Sequence, residues 1–134
     1  MKLITRDTDY ALRSLIYIQR HSKKIIPVSE LVKNLGIPRP FLRKITQVLC
    51  RNGLLGSIKG PGGGFKLTPG ARNITLEKLM CVFQGPFRLN ECSFKKMPCP
   101  NTKTCFVRKK IQEIESYVRR QLKGIRLSQL IRGN

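Results

Sequence analysis

Apolar residues recur along the first half of the chain at the three- and four-residue spacing of helices that bury one stripe. Over residues 7–21, Leu12, Leu15 and Ile16 with Tyr10 and Ile18 predict an amphipathic helix. A polar, basic connector follows, and Pro27-Val28-Ser29 opens a second helix with Ser29 as its N-cap, Leu31, Val32 and Leu35 inward and Gly36 as its stop. Ile37-Pro38-Arg39-Pro40 predicts a tight turn. Phe41, Leu42, Ile45, Val48 and Leu49 then form the inner face of a third helix that ends at Asn52-Gly53. Residues 54–59 and 65–67 read as two short strands joined by Gly60-Pro61-Gly62-Gly63-Gly64. Thr75 caps a fourth helix with Leu76, Leu79, Met80 and Phe83 inward, ending near Gln84-Gly85-Pro86. The longest helix is predicted over 106–123, where Val107, Ile111, Ile114 and Val118, followed by Leu122 and Ile125, make a narrow seam; residues 127–131 form a last short turn.

Two short helices across a Gly-Pro turn, followed by a glycine-rich hairpin, predict a fold that is mainly α with a small β-hairpin wing: a winged helix-turn-helix plus a long dimerisation helix. On the third helix Arg39, Arg43, Lys44 and Gln47 fall outside the apolar stripe, with Pro40 beside them at the N-terminal end. Arginine can bond guanine and glutamine can bond adenine through two hydrogen bonds each, so this face suits base reading as well as phosphate contact. The wing brings Lys59 and Lys66 to either end of three consecutive glycines, which allow close backbone approach to a phosphate. The loop lacks the Lys-Ser/Thr ending of a nucleotide-binding P-loop.

Charge sharpens the choice of partner. The chain has 134 residues with 27 Lys and Arg against 7 Asp and Glu, a net charge of +20 that is shared equally by its halves, so a polyanion, here double-stranded DNA, is the expected ligand. The narrow seam of the last long helix suits a second copy better than a small core, and a homodimer would present two recognition helices to a near-palindromic operator. The apolar run at 15–18 is too short for a signal peptide or a membrane span, which places the expected protein in the cytoplasm with no membrane partner. No acid–base pair or activated nucleophile emerges, so no enzyme is expected; His21, the only histidine, falls at a helix end and reads as structural.

Five cysteines remain to be placed. Cys50 and Cys81 are isolated in amphipathic helices and read as small core residues. Cys92, Cys99 and Cys105 lie in one stretch broken by Pro98, Pro100, Asn101 and Thr102, which can fold three sulfurs around one centre. Thiolates of this kind suit an iron-sulfur cluster, zinc or copper(I), and stable disulfides are not expected in a reducing cytosol.

The run Thr8-Asp9-Tyr10-Ala11-Leu12-Arg13, the wing Lys59-Gly60-Pro61-Gly62-Gly63-Gly64, the three-cysteine stretch and the long helix after it resemble the Rrf2 family of bacterial winged-helix repressors, in its IscR/NsrR-like iron-sulfur type, over nearly the whole chain. The resemblance implies a transcriptional repressor that senses nitric oxide, oxygen, redox state or cluster supply through a labile 2Fe-2S or 4Fe-4S cluster. By position, Cys92, Cys99 and Cys105 would hold the cluster, Pro40, Phe41 and Arg43 would face bases, and Lys59, Gly60, Pro61 and Gly62 would form the wing contact. Two features depart from the pattern: the first two cysteines are one residue further apart than is usual, and Arg108 stands where the IscR type offers a histidine ligand. The NsrR type points instead to Asp9, reaching the partner's cluster; a carboxylate favouring the helix N-terminus is the alternative. The expected organisation is a DNA-binding unit over 1–84, a cysteine-rich loop over 85–105 and a dimerisation helix with its C-terminal turn over 106–134. Two other readings stay open, a zinc-stapled nucleic-acid-binding module and a cluster-free regulator controlled by binding a metabolic enzyme.

Overall fold

The computed structural model describes residues 2–89, 93–94, 97–98 and 104–132. Helix α1 (Arg6–Arg20) begins one residue earlier than its apolar spacing implied, because the Thr5 side chain accepts the Thr8 N–H and caps the first turn. Helix α2 (Val28–Leu35) also starts early: Pro27, not Ser29, occupies the N-cap position, and no side chain caps it. Gly36 ends α2 at φ 67°, a left-handed conformation that a residue with a Cβ adopts poorly, and its N–H returns to the Val32 carbonyl.

Helix α3 (Arg39–Arg51) takes in Arg39 and Pro40, which the sequence placed in the preceding turn. A proline in the first helical turn forfeits no intrahelical hydrogen bond, so it starts the helix rather than delaying it. Leu42, Ile45 and Leu49 on its inner face are fully buried against α1 and α2, as are Leu15, Ile18 and Leu31 opposite them. Burial of each such side chain stabilises the fold by roughly 1.5–3 kcal/mol.

Strands β1 (Leu55–Ile58) and β2 (Gly64–Leu67) pair antiparallel with Leu55 opposite Leu67 and Ile58 opposite Gly64. A 3-10 turn (Pro69–Asn73) leads to α4 (Leu76–Gln84), capped by Thr75 as expected. Two residue pairs, β3 (Ser93–Phe94) and β4 (Met97–Pro98), make a minimal antiparallel ladder. Helices α5 (Phe106–Lys123) and α6 (Leu127–Arg132) complete the order.

Two apolar clusters hold these elements. The larger joins α1, α2, α3 and the hairpin, and Leu127 of α6 is buried in it, so the end of the chain returns to the helix-turn-helix. The smaller sits between α4 and α5, where Leu76, Met80, Phe87 and Leu122 are buried with Val118 and Ile125 packed beside them. Leu12 touches both clusters. Among the described residues no helix is long and apolar enough to cross a membrane.

Candidate nucleic-acid interface and cysteine segment

The outer face of α3 is a basic, exposed surface on a helix whose inner face is buried in the core. Arg39, Arg43 and Gln47 follow one another at four-residue spacing, with Pro40, Lys44 and Arg51 alongside, and all six are exposed. Directly behind them Leu42, Ile45, Thr46 and Leu49 are buried, and the Thr46 hydroxyl donates to the Leu42 carbonyl at 2.7 Å. Among the described residues no carboxylate pairs with Arg39, Arg43 or Lys59, whereas Lys44 Nζ lies 4.0 Å from Asp7. Phe41 differs from its neighbours: it is half-buried, edge-on to Tyr10 with ring centroids 6.1 Å apart, and the Arg6 guanidinium lies 4.4 Å above its ring centre.

The wing is built by backbone constraint. Gly60, Pro61, Gly62 and Gly63 form a turn closed by the Gly63 N–H on the Gly60 carbonyl at 2.9 Å, with Gly62 at φ 74°, the conformation a type II turn demands after proline. A Cβ on Gly63 would lie 2.1 Å from the Ile58 carbonyl oxygen, and one on Gly64 would lie 2.5 Å from that of Ile26. Lys59, Gly60, Pro61 and Gly62 are exposed at the tip. The base of the wing is tied to the connector between α1 and α2, because Ile26 and Phe65 exchange two backbone hydrogen bonds of 2.9 and 2.8 Å. That tie was not evident in the sequence, where Ile26 closed a polar connector; a buried isoleucine just before Pro27 was its only trace.

Of the expected metal ligands, the structure describes Cys105 and Asp9; Cys92 and Cys99 lie outside the described residues. Cys105 is the N-cap of α5, half-buried, and its Sγ accepts the Arg108 N–H at 3.4 Å. The positive end of the helix dipole there favours a negatively charged sulfur, which fits a thiolate ligand. Asp9 is partly exposed in the first turns of α1 and pairs with Arg13 at 3.1 Å, so the helix itself already gives it a partner. Among the described residues no three His, Cys, Asp or Glu side chains gather into a metal-binding group. Cys50 and Cys81 are partly buried, and burial raises the Cys50 thiol pKa. His21 caps α1, stacked on Tyr17 with its Nδ1 2.9 Å from the Tyr17 carbonyl oxygen.

The apolar seam of α5 is broader than expected and divides along its length. Leu122 is buried and Val118 half-buried in the chain's own core, whereas Phe106, Val107, Ile114 and Tyr117 are 69, 62, 55 and 57% exposed. Phe106 and Tyr117 fall to one side of the Val107–Ile114 line, outside the strict heptad positions.

The start of the segment that carries the cysteines is anchored to the N-terminal end of α1 and to α5. The Gln84 side chain accepts from the Thr5 N–H and the Thr8 hydroxyl at 3.1 and 2.8 Å and donates to the Leu3 carbonyl at 3.0 Å. Beyond it, the Leu89 N–H donates to Glu115 at 3.1 Å, and Arg119 donates to the Phe87 carbonyl at 2.7 Å and to Glu115 at 3.0 Å.

The sequence pattern of the Rrf2 family, described as an iron-dependent transcriptional regulator, matches residues 4–133. A protein of Aquifex aeolicus named as an HTH-type transcriptional regulator is 32% identical over 124 residues, which cover 91% of this chain and 86% of that one. The HTH-type transcriptional regulator IscR of Vibrio campbellii is 24% identical over 135 aligned residues, covering 100% of this chain and 79% of the relative. Among solved structures, CymR (YrzC), the global cysteine regulator of B. subtilis, superposes with a TM-score of 0.75 at 21% identity, covering 98% of this chain and 97% of that chain.

Proposed function

The chain belongs to the Rrf2 family of transcriptional regulators, and from that membership we propose that it is a homodimeric repressor that reads a near-palindromic operator and responds to a signal through an iron-sulfur cluster. The observation that carries the DNA-reading part is the outer face of α3: cations and an amide, exposed and, among the described residues, without carboxylate partners at Arg39 and Arg43, on a helix whose opposite face is fully buried. Arg43 and Gln47 reach base edges, with the rims of Pro40 and Phe41 against them. Arg39, Lys44 and Lys59 hold phosphates, and Gly60, Pro61 and Gly62 let the wing backbone lie close to the sugar-phosphate chain. Its family is one of regulators rather than enzymes.

The exposed half of the α5 stripe, Phe106, Val107, Ile114 and Tyr117, supports pairing with a second copy, because four large apolar side chains left in water on one helix favour burial against a matching surface. Three thiols in one stretch and the iron dependence in the family's description support a 2Fe-2S or 4Fe-4S cluster on Cys92, Cys99 and Cys105, with Asp9 of the other subunit as the fourth ligand. When bound, such a cluster supplies a centre that reacts with oxidants and nitric oxide. Cys105 would hold it at the start of α5, and Asp9 would contribute from near the start of α1.

An ultraviolet-visible spectrum with iron and sulfide assays on protein purified without oxygen tests the cluster. Visible absorption lost in Cys99→Ala and altered in Asp9→Ala is expected. Colourless protein containing zinc, with DNA affinity indifferent to oxidant, would replace the cluster with a structural metal. Metal-free protein that co-purifies with a metabolic enzyme would replace it with control by protein contact.

A further inference from the structure

Resting on the DNA-binding reading, we infer that Arg6 is a further, pre-oriented phosphate-binding residue: with Lys44 it forms a clamp for one DNA backbone phosphate beside the N-terminal turn of the recognition helix. The sequence offered no reason to choose Arg6 among 27 basic residues; its placement does. The guanidinium carbon lies over the Phe41 ring, 4.4 Å from the centroid, and Phe41 belongs to the first turn of α3. Phe41 is itself fixed edge-on by Tyr10 of α1, so the platform under Arg6 is rigid. Stacking on an aromatic face uses none of the five N–H donors of arginine, whose in-plane edge stays open for a bidentate phosphate bond.

Among the described residues Arg6 has one ionic neighbour, Asp7, at 3.9 Å from its Nε, and Lys44 has the same carboxylate at 4.0 Å from its Nζ. Both distances are long for charge-assisted hydrogen bonds, so one carboxylate sits between two cations without saturating either. Arg6 and Lys44 are 61 and 72% exposed, against 33% for Asp7. The net local charge is positive and solvent-exposed, and Lys44 follows Arg43 directly on α3. A phosphate diester complements this arrangement, since it carries one negative charge and two acceptor oxygens for a planar fork and an ammonium.

The stack also ties the start of α1 to the start of α3. A phosphate held there fixes the register of the recognition helix in the groove without reading a base, the division of labour typical of backbone contacts. The test measures binding of fluorescent duplexes, one of random sequence and one enriched from a random pool, across a salt series. Arg6→Ala is expected to lower the magnitude of the slope of log K against log salt by about 0.9 per bound protomer, and to weaken both duplexes by the same factor. That slope change means that between 50 and 200 mM salt the variant loses about 3.5-fold less affinity per protomer than the wild type.

On the random duplex, where no base is read, Phe41→Leu, which keeps apolar volume and removes the ring, is expected to reproduce part of the Arg6→Ala loss and to add little to it in the double variant. Arg6→Lys is expected to keep the slope while weakening binding, and melting curves check that each variant folds. Unchanged slope and affinity in Arg6→Ala, while Arg43→Ala and Lys59→Ala weaken binding, would overturn the clamp and leave the DNA-binding reading standing. Loss confined to the enriched duplex would show that Arg6 reads a base, which also overturns it. Failure of the wild type to bind either duplex would overturn the DNA-binding reading itself.

Discussion

Gln84 is the last residue of α4, immediately before the segment that carries the cysteines, and its amide clasps the start of α1. Gln84→Ala removes two acceptor contacts and one donor contact. The lost partners are unequal. Thr8 is fully buried and its hydroxyl, among the described residues, is left with the 3.0 Å contact to the Thr5 hydroxyl, the Thr5 N–H is part-buried, and the Leu3 carbonyl can turn to water. Counting about 1 kcal/mol for each of the first two bonds and little for the third, the truncation should destabilise the fold by about 2 kcal/mol. The higher helix propensity of alanine returns only a few tenths of that. Urea unfolding measures the loss, and hydrogen exchange should show the first turn of α1 opening more readily than α3. Gln84→Glu retains the acceptor and sets a carboxylate against the Leu3 carbonyl, so it should fall between wild type and alanine. A loss under about 0.5 kcal/mol in Gln84→Ala would refute the clasp as a structural tie.

Three further outcomes are expected. Gly63→Ala should destabilise or displace the wing, because its Cβ would lie 2.1 Å from the Ile58 carbonyl oxygen, whereas Gly70→Ala, in open space, should be near neutral; thermal melts compare them. Ile114→Glu places a charge in the exposed α5 stripe and should shift the sedimentation of the protein toward monomer with little loss of helix content. The Glu30 carboxyl is held below its ordinary pKa, first by the Tyr17 hydroxyl donating at 2.8 Å and then by Lys24 at 3.1 Å. Its stabilisation is therefore complete above the unfolded-state value and is lost as pH falls through the lower folded value, so Glu30→Gln should flatten the fall in stability below about pH 4.

The helices were legible because each buries one stripe, and burial sets the spacing of Leu12, Leu15 and Ile18 or of Leu42, Ile45 and Leu49 more strongly than anything else sets sequence. Starts were less legible. Capping depends on the geometry of one side chain, and Ser29 and Pro27 are both plausible first residues until the backbone is seen. The basic face of α3 and the glycine wing could be read directly, since exclusion from the apolar stripe and three consecutive glycines are local signals. The Arg6–Phe41 stack, the Ile26–Phe65 bridge and the Gln84 clasp join residues distant in sequence, and no local pattern records them. The α5 seam fell between these cases: its apolar residues were visible, but which of them the chain covers itself depended on where α4 packs.

The central claim is that the exposed face of α3 binds duplex DNA through charge and reads it through Arg43. Fluorescence anisotropy of the wild type and Arg43→Ala on enriched and random duplexes, over a range of salt, tests it most directly. The account predicts a steep salt dependence in both proteins and a loss in Arg43→Ala of about 1–3 kcal/mol that falls on the enriched duplex alone. Equal loss on both duplexes would reduce Arg43 to a phosphate contact, and salt-insensitive or undetectable binding by the wild type would contradict the claim outright.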